Sequence, residues 1–191
     1  MLRRLSKLSD NELVALAVKD HSPAVAELIE RHKGMVFTLA FRLLQNHHDA
    51  EEAAQDAFVK AFRSLQSFRA DSKFATWLYR ICYNTCLTRL RKAPTPDNAD
   101  YMAKESAFAE SVFDELEHKD RVEFINAAMA KLPPDEATII TLFYMDDMPI
   151  AEIAEVTAIT EGNVKVKLFR GRKRLLVYLE EILKHETASL V

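Results

Sequence analysis

Apolar residues recur three and four positions apart along almost the whole chain, and little interrupts them. Only three glycines and six prolines occur in 191 residues. That spacing puts apolar side chains on one face of a helix. With few β-branched runs besides, the chain is expected to be all-α. The interruptions mark the helix ends. Ser9-Asp10-Asn11-Glu12 has the residues of a capping box, so a first helix should run from Asp10 to about Asp20. Ser22-Pro23 opens a second, which continues to about Gln45 with Leu28, Val36, Leu39 and Leu43 on its apolar face. Asn46 to His48 form a break, and Asp49, with Glu52 three residues on, starts a third helix to about Ser67. A loop from Ser67 to Ser72 follows. Ser72 is placed to cap a fourth helix, Lys73 to Lys92, with Phe74, Trp77, Leu78, Ile81 and Thr85 facing inward. These four helices form one unit, residues 1–92.

Ala93 to Asp100, APTPDNAD, resists helix formation through its two prolines and its Asp and Asn residues. It opens an acidic linker over residues 93–119. At roughly 3.3 Å per residue such a segment reaches about 90 Å when extended, enough to let the flanking units sit on separate sites. A second unit, residues 120–191, begins with a helix carrying Val122, Ile125, Met129 and Leu132. Pro133-Pro134 ends that helix, and the next carries Ile139, Ile140, Leu142, Phe143 and Tyr144.

Pro149 to Leu176 has the layout of a helix-turn-helix. Pro149 suits a first helical position, and Ile150, Ile153 and Ala154 form a short apolar face. The pattern breaks at Thr157-Ala158, and Thr160 is placed to cap a second helix. Val164, Leu168, Gly171, Leu175, Leu179 and Ile182 make its inner stripe. Gly162, Val166, Phe169 and Lys173 point the opposite way, flanked by Asn163, Lys165, Lys167, Arg170, Arg172 and Arg174. From Thr160 to Tyr178 six Lys/Arg stand against one Glu. A solvated surface helix has such charge too, but an outward aromatic on a basic helix calls for a partner. A helix of this kind suits a major groove, with basic groups on phosphates and the rest at base edges. Arg172 and Arg174 lie later and nearer the flanks, where phosphate contacts or none are expected.

The net charge of −3 hides strong segregation. Asp49 to Val59 holds four acids and no Lys/Arg, whereas Lys60 to Lys92 holds eight Lys/Arg and one Asp. Ala93 to Asp120 is again acidic, with eight acids and two Lys. Blocks of this kind imply several surfaces with different partners. No apolar run approaches the length of a membrane span, and the N-terminus lacks a signal-peptide core. Cys82 and Cys86 lie i, i+4 with no neighbouring Cys or His to complete a metal site. Free thiols in a reduced cytoplasm are the better reading. His47 and His48, being adjacent, point apart on a helix. Neither a cofactor nor a metal is called for.

Two motif sets together resemble one family. DAEEAAQDAFVKAFRSLQSFR, Asp49 to Arg69, followed by SKFATWLYRICYNTCLTRLRK, Ser72 to Lys92, resembles region 2 of bacterial sigma-70 factors. LPPDEATIITLFYMDDMPIAEIAEVTAITEGNVKVKLFRGRKRLL, Leu132 to Leu176, resembles region 4. The short length and a linker in place of a folded region 3 are similar to the extracytoplasmic-function (ECF) group. The resemblance implies a sigma factor. It would bind core RNA polymerase, direct it to promoters and help open the −10 region; it would not be an enzyme. It further implies that Asp49, Glu52, Gln55 and Asp56 bind the largest polymerase subunits. An acidic turn complementing the helix dipole explains Asp49 and Glu52 as well, but not Asp56.

By the same resemblance, Lys60, Arg63, Phe68, Arg69, Lys73, Trp77, Arg80, Asn84 and Arg91 would handle the −10 element. Its non-template strand needs a basic surface with pockets or aromatic faces. Trp77 matches a melting aromatic of housekeeping sigma factors, with Leu78 where a second tryptophan is often found. It also lies in the inner stripe, which gives it a core role. In ECF members the Phe68 to Ser72 loop pockets a flipped base. Thr160, Gly162, Asn163, Lys165, Val166, Lys167, Phe169, Arg170 and Lys173 would read the −35 element.

Thr157-Ala158 replaces a usual Leu-Gly pair, Pro149 a usual Ser cap, and Gly171 a usual Ala. Promoter DNA, duplex and single-stranded, and a separate anti-sigma factor are the implied partners, with no direct membrane insertion. The alternative is a helical regulator that binds duplex DNA without polymerase, which has no need of a melting surface. A third class, a helical enzyme with carboxylates at Glu51, Glu52 and Asp56, lacks a triad, metal site or phosphate loop to work with.

Overall fold

A computed structural model describes residues 5–91 and 118–189. Among the described residues the chain is helical, with turns and one short 3-10 segment. The first unit contains α1 (Asp10–Ala17), α2 (Ser22–Leu44), α3 (His47–Arg63) and α4 (Phe74–Leu90). The second contains α5 (His118–Lys131), α6 (Pro134–Tyr144), α7 (Ile150–Thr157) and α8 (Glu161–Ser189). Residues 93–117 of the expected linker lie outside the described residues, and α5 begins just ahead of the expected second unit.

Local capping sets several of these starts. Ser9 and Glu12 form the expected capping box, the Glu12 amide donating to Ser9 Oγ at 3.3 Å and the Ser9 amide to Glu12 Oε2 at 2.7 Å. Three ends differ from the sequence reading. Helix α3 starts at His47, not Asp49, because Asn46 Oδ1 accepts the Asp49 amide at 3.0 Å and is the cap. It ends at Arg63, short of the expected Ser67, and a 3-10 turn, Leu65–Ser67, completes the stretch. Helix α4 starts after Lys73 with no side-chain cap, so Ser72 does not cap it.

In α3, Ala50, Ala53, Ala54, Ala57 and Ala61 are all buried. This stripe of small side chains lets α3 lie close against α2 and α4. The second unit packs α8 across α5, α6 and α7. The two units also pack on each other: α6 lies along α2, and α7 along α4. One continuous core therefore runs from Leu13 and Leu28 through Phe74 and Leu78 to Ile139 and Ile153.

That docking changes the reading of α4. Phe74, Leu78 and Thr85 are buried as expected, but Trp77 and Ile81 are only partly buried. Thr76, Tyr79, Cys82, Tyr83 and Cys86 are buried as well. The inner stripe of α8 also shifts: Val164, Leu168 and Gly171 are buried, but further along burial passes to Glu180 and Leu183 in place of Leu179 and Ile182.

Candidate nucleic-acid interface

Helix α8 is presented by the turn before it and by α6 beneath it. Pro149 caps α7 from outside, with φ −59° and ψ 148°, and does not occupy its first helical position. Ala158 ends α7 in the left-handed region, at φ 57°, doing the work that glycine usually does in such a turn. Thr160 Oγ1 accepts the Asn163 amide at 3.3 Å, the expected cap of α8. Gly171 has a steric role. A Cβ there would lie 2.8 Å from Ile140 Cδ1 and 3.4 Å from Glu136 Cβ, so its absence sets how closely α8 approaches α6.

The outer face of α8 is formed as expected in most respects. Val166 and Phe169 are 46% and 53% exposed, large values for apolar side chains. Lys173 Nζ sits 4.9 Å from the centre of the Phe169 ring, a cation–π contact that holds ring and charge together. Gly162, Asn163, Lys165 and Arg170 are exposed around them. Lys167 departs from this set, because it is half-buried and pairs with Asp135 of α6. Arg174 is withdrawn further from solvent than Lys167. Its side chain is only 13% exposed, and it donates to Glu136 Oε1 at 3.0 Å. Burial pushes the Glu136 carboxyl up even so, against the pull of Arg174. Arg172 donates to the Tyr144 hydroxyl at 3.3 Å.

In the first unit, an aromatic cluster backs the loop before α4. Phe68 lies 5.4 Å from Trp77 and 5.8 Å from Phe74, centre to centre, and Trp77 lies 5.8 Å from Phe74. Trp77 thus supports the loop while keeping part of its surface outside. A groove of about 360 Å³ runs beside the loop, lined by Val14, Val18, Leu65, Phe68 and Arg69 among others. Arg69 lines this groove, and Arg63, Arg80, Asn84 and Arg91 are exposed elsewhere on the unit, Arg91 at the far end of α4. Lys60 is held, its Nζ donating to Thr85 Oγ1 of α4 at 3.0 Å. Lys73 is exposed but pairs with Glu152 of α7 at 2.8 Å.

The acidic residues form a third surface. Asp49, Glu52, Gln55 and Asp56 are all exposed on α3. Arg89 of α4 forks onto two of them, with Nη1 3.0 Å from Glu52 Oε2 and Nη2 2.6 Å from Asp56 Oδ2. These bonds, Asp56 first, raise the Arg89 pKa. Sequence reading missed Arg89, Glu136 and Glu152. Their partners lie 33 to 79 residues away, where no local spacing relates them. Among the described residues, no group of three or more His, Cys, Asp or Glu could hold a metal ion. Nor, among those residues, is any helix long and apolar enough to cross a membrane.

Residues 28–94 match the family model for sigma-70 region 2, and residues 125–175 match that for sigma-70 region 4. The chain is 34% identical to the ECF RNA polymerase sigma factor SigW of Bacillus subtilis, over 86% of its own length and 93% of that protein. It is 31% identical to the ECF RNA polymerase sigma-E factor of Escherichia coli, over 88% and 93% of the two chains. Its fold is similar to that of CnrH, solved with the cytosolic domain of CnrY, with a TM-score of 0.65 and 23% identity over 90% and 97% of the two chains. The chain belongs to the ECF group of the sigma-70 family and is an RNA polymerase sigma factor, not an enzyme.

Proposed function

We propose that the first unit, residues 1–92, binds core polymerase and the −10 strand, and that the second, residues 120–191, reads the −35 duplex. The observation that carries this division is the separation of three chemistries on one chain. These are an acidic face on α3, a basic and aromatic loop before α4, and an exposed Phe169–Lys173 pair on α8. Asp49, Glu52, Gln55 and Asp56 meet a basic surface of the largest polymerase subunits. Phe68, Arg69 and the groove beside them receive an unstacked base, while Lys60, Arg63, Lys73, Arg80, Asn84 and Arg91 track the strand. Trp77 stiffens the loop from behind. Thr160, Gly162, Asn163, Lys165, Val166, Phe169, Arg170 and Lys173 enter the major groove, and Lys167 steadies the helix from its flank.

The protein acts in the cytoplasm, where polymerase and promoters are. A separate anti-sigma factor covers it until needed. Among solved structures of similar fold, the sigma factor RpoE of Bartonella quintana is in complex with the anti-sigma factor NepR, and CnrH with the cytosolic domain of CnrY.

The test uses the full chain with core polymerase. Reversing Asp49, Glu52 and Asp56 to Lys should abolish competition for core while leaving helicity and Tm little changed. Start sites mapped on genomic DNA with the reconstituted holoenzyme should share two spaced elements. A triple variant that competes for core as well as the parent would overturn the assignment of α3. A chain that binds duplex DNA but never co-purifies with polymerase would make it a regulator of another kind.

A further inference from the structure

We propose that Arg89 is a positioning residue for the polymerase-binding face: its guanidinium fixes Glu52 and Asp56 at the spacing a basic partner meets. This rests on the α3 reading given above. Glu52 and Asp56 stand four residues apart, so their like charges share one face of α3 and repel each other. Left alone, each side chain samples several rotamers, and a partner has to order both before it gains a contact. Arg89 removes that freedom from within the chain. Nη1 lies 3.0 Å from Glu52 Oε2 and Nη2 lies 2.6 Å from Asp56 Oδ2, so one rigid plane spans both carboxylates.

The packing of α4 on α3 puts the fork there. The buried alanines of α3 let the two helices lie close, and Arg89, in the last turn of α4, reaches across to the acidic face. Its side chain is 29% exposed, whereas those of Glu52 and Asp56 are 51% and 52% exposed. The guanidinium is thus the more enclosed member, and the acids stay open to a partner. His48 Nε2, 3.5 Å from Glu52 Oε1, meets the same carboxylate from the start of α3. That contact is made by an exposed ring and yields easily to a stronger donor.

Two effects of Arg89 on a basic partner oppose each other. A positive charge within the patch weakens its long-range pull, which governs approach. Fixed carboxylates lower the ordering cost of the bound state, which governs how long the complex lasts. Salt screens the first over a Debye length of about 8 Å at physiological ionic strength and leaves the second in place. The fork therefore strengthens binding on balance. A lysine cannot replace it, because an ammonium is a point charge that sets no spacing between two acids.

The experiment measures association and dissociation of the full chain with core RNA polymerase at about 0.15 M salt. Arg89→Met keeps the aliphatic stem and removes the fork, whereas Arg89→Lys keeps the charge without the fork. Arg89→Met should raise Kd by about 3- to 10-fold, chiefly through faster dissociation, with helicity and Tm close to those of the parent. Arg89→Lys should recover less than half of that loss. In a Glu52→Gln/Asp56→Asn background, Arg89→Met should change Kd by less than about 2-fold, since the fork has lost its acids. Parent-like or tighter binding by Arg89→Met overturns the proposal. So does full recovery by Arg89→Lys, which would make charge alone the cause. An equal loss in the neutralised background would mean that Arg89 acts without the two acids, and overturns it too. If the chain with Asp49, Glu52 and Asp56 reversed to Lys competes for core as the parent does, the α3 reading itself fails. Loss of competition there with none in Arg89→Met confines the failure to Arg89.

Discussion

Phe169 is the side chain on which the proposed base reading by α8 most depends. It is more than half exposed, with Val166 beside it, on a helix most of whose apolar residues face inward, and Lys173 lies over its ring. Phe169→Ala and Lys165→Ala are expected to cost about 1–3 kcal/mol on the preferred −35 duplex and less on scrambled DNA. A salt series on both DNAs separates this from a phosphate contact, whose loss falls on all sequences alike and lowers the salt slope by about one. Equal losses on both DNAs for Phe169→Ala would remove it from base readout. Arg174 belongs to a different class from its neighbours on the helix. Removing it strands Glu136 in a buried site, so Arg174→Ala should lower stability by about 3 kcal/mol. Its salt slope for DNA should stay unchanged. Denaturant titration beside the same binding series would show both. From the sequence alone Arg174 is one of six basic residues on a helix; only the position of Glu136 beneath it tells them apart.

At the scale of elements, the turn between α7 and α8 stores strain that can be removed. Ala158 stands at φ 57°, a region an L side chain enters at a cost of about 1–2 kcal/mol. Ala158→Gly should raise stability by about 0.5–1 kcal/mol, the relief being partly offset by the greater freedom of glycine when unfolded. A fall in Tm would mean that the Ala158 methyl makes a contact worth more than the strain. The existence of nearly every helix was legible, because helical spacing and proline breaks are local signals. Several ends were not. At α3 an asparagine and an aspartate three residues apart could each act as cap, and Asn46 takes the role because its side chain reaches the Asp49 amide. At α4 the chain has no side-chain cap, although Ser72 lies beside the start.

Across the whole molecule, α4 is the helix on which both units bear. Cys82 and Cys86 are free and fully buried on it, and Cys82 Sγ lies 3.5 Å from the Val36 carbonyl oxygen of α2. A hydrogen bond with Cys86, with burial added, pushes the Cys82 thiol up. The same hydrogen bond, with Arg89 and Lys60 nearby, lowers the Cys86 thiol, so it is burial that should make both resist a disulfide reagent in native buffer and become reactive together, at the denaturant midpoint of global unfolding. Labelling of either in native buffer at the rate of the unfolded chain would show that α4 opens locally. What the sequence by itself determined is what short-range physics controls. That covers an all-α chain, the helix-turn-helix with its basic outer face, the acidic turns of α3, and the motifs that carry family membership. Spacing of three and four, prolines and charge runs act within a few residues of themselves. The tertiary structure alone decided that α7 covers α4, that Arg89 forks onto Glu52 and Asp56, and that Lys73 is met by Glu152. Each of these joins groups dozens of residues apart through the packing of whole helices. Their energies depend on desolvation and reach across that packing, and no local pattern encodes either.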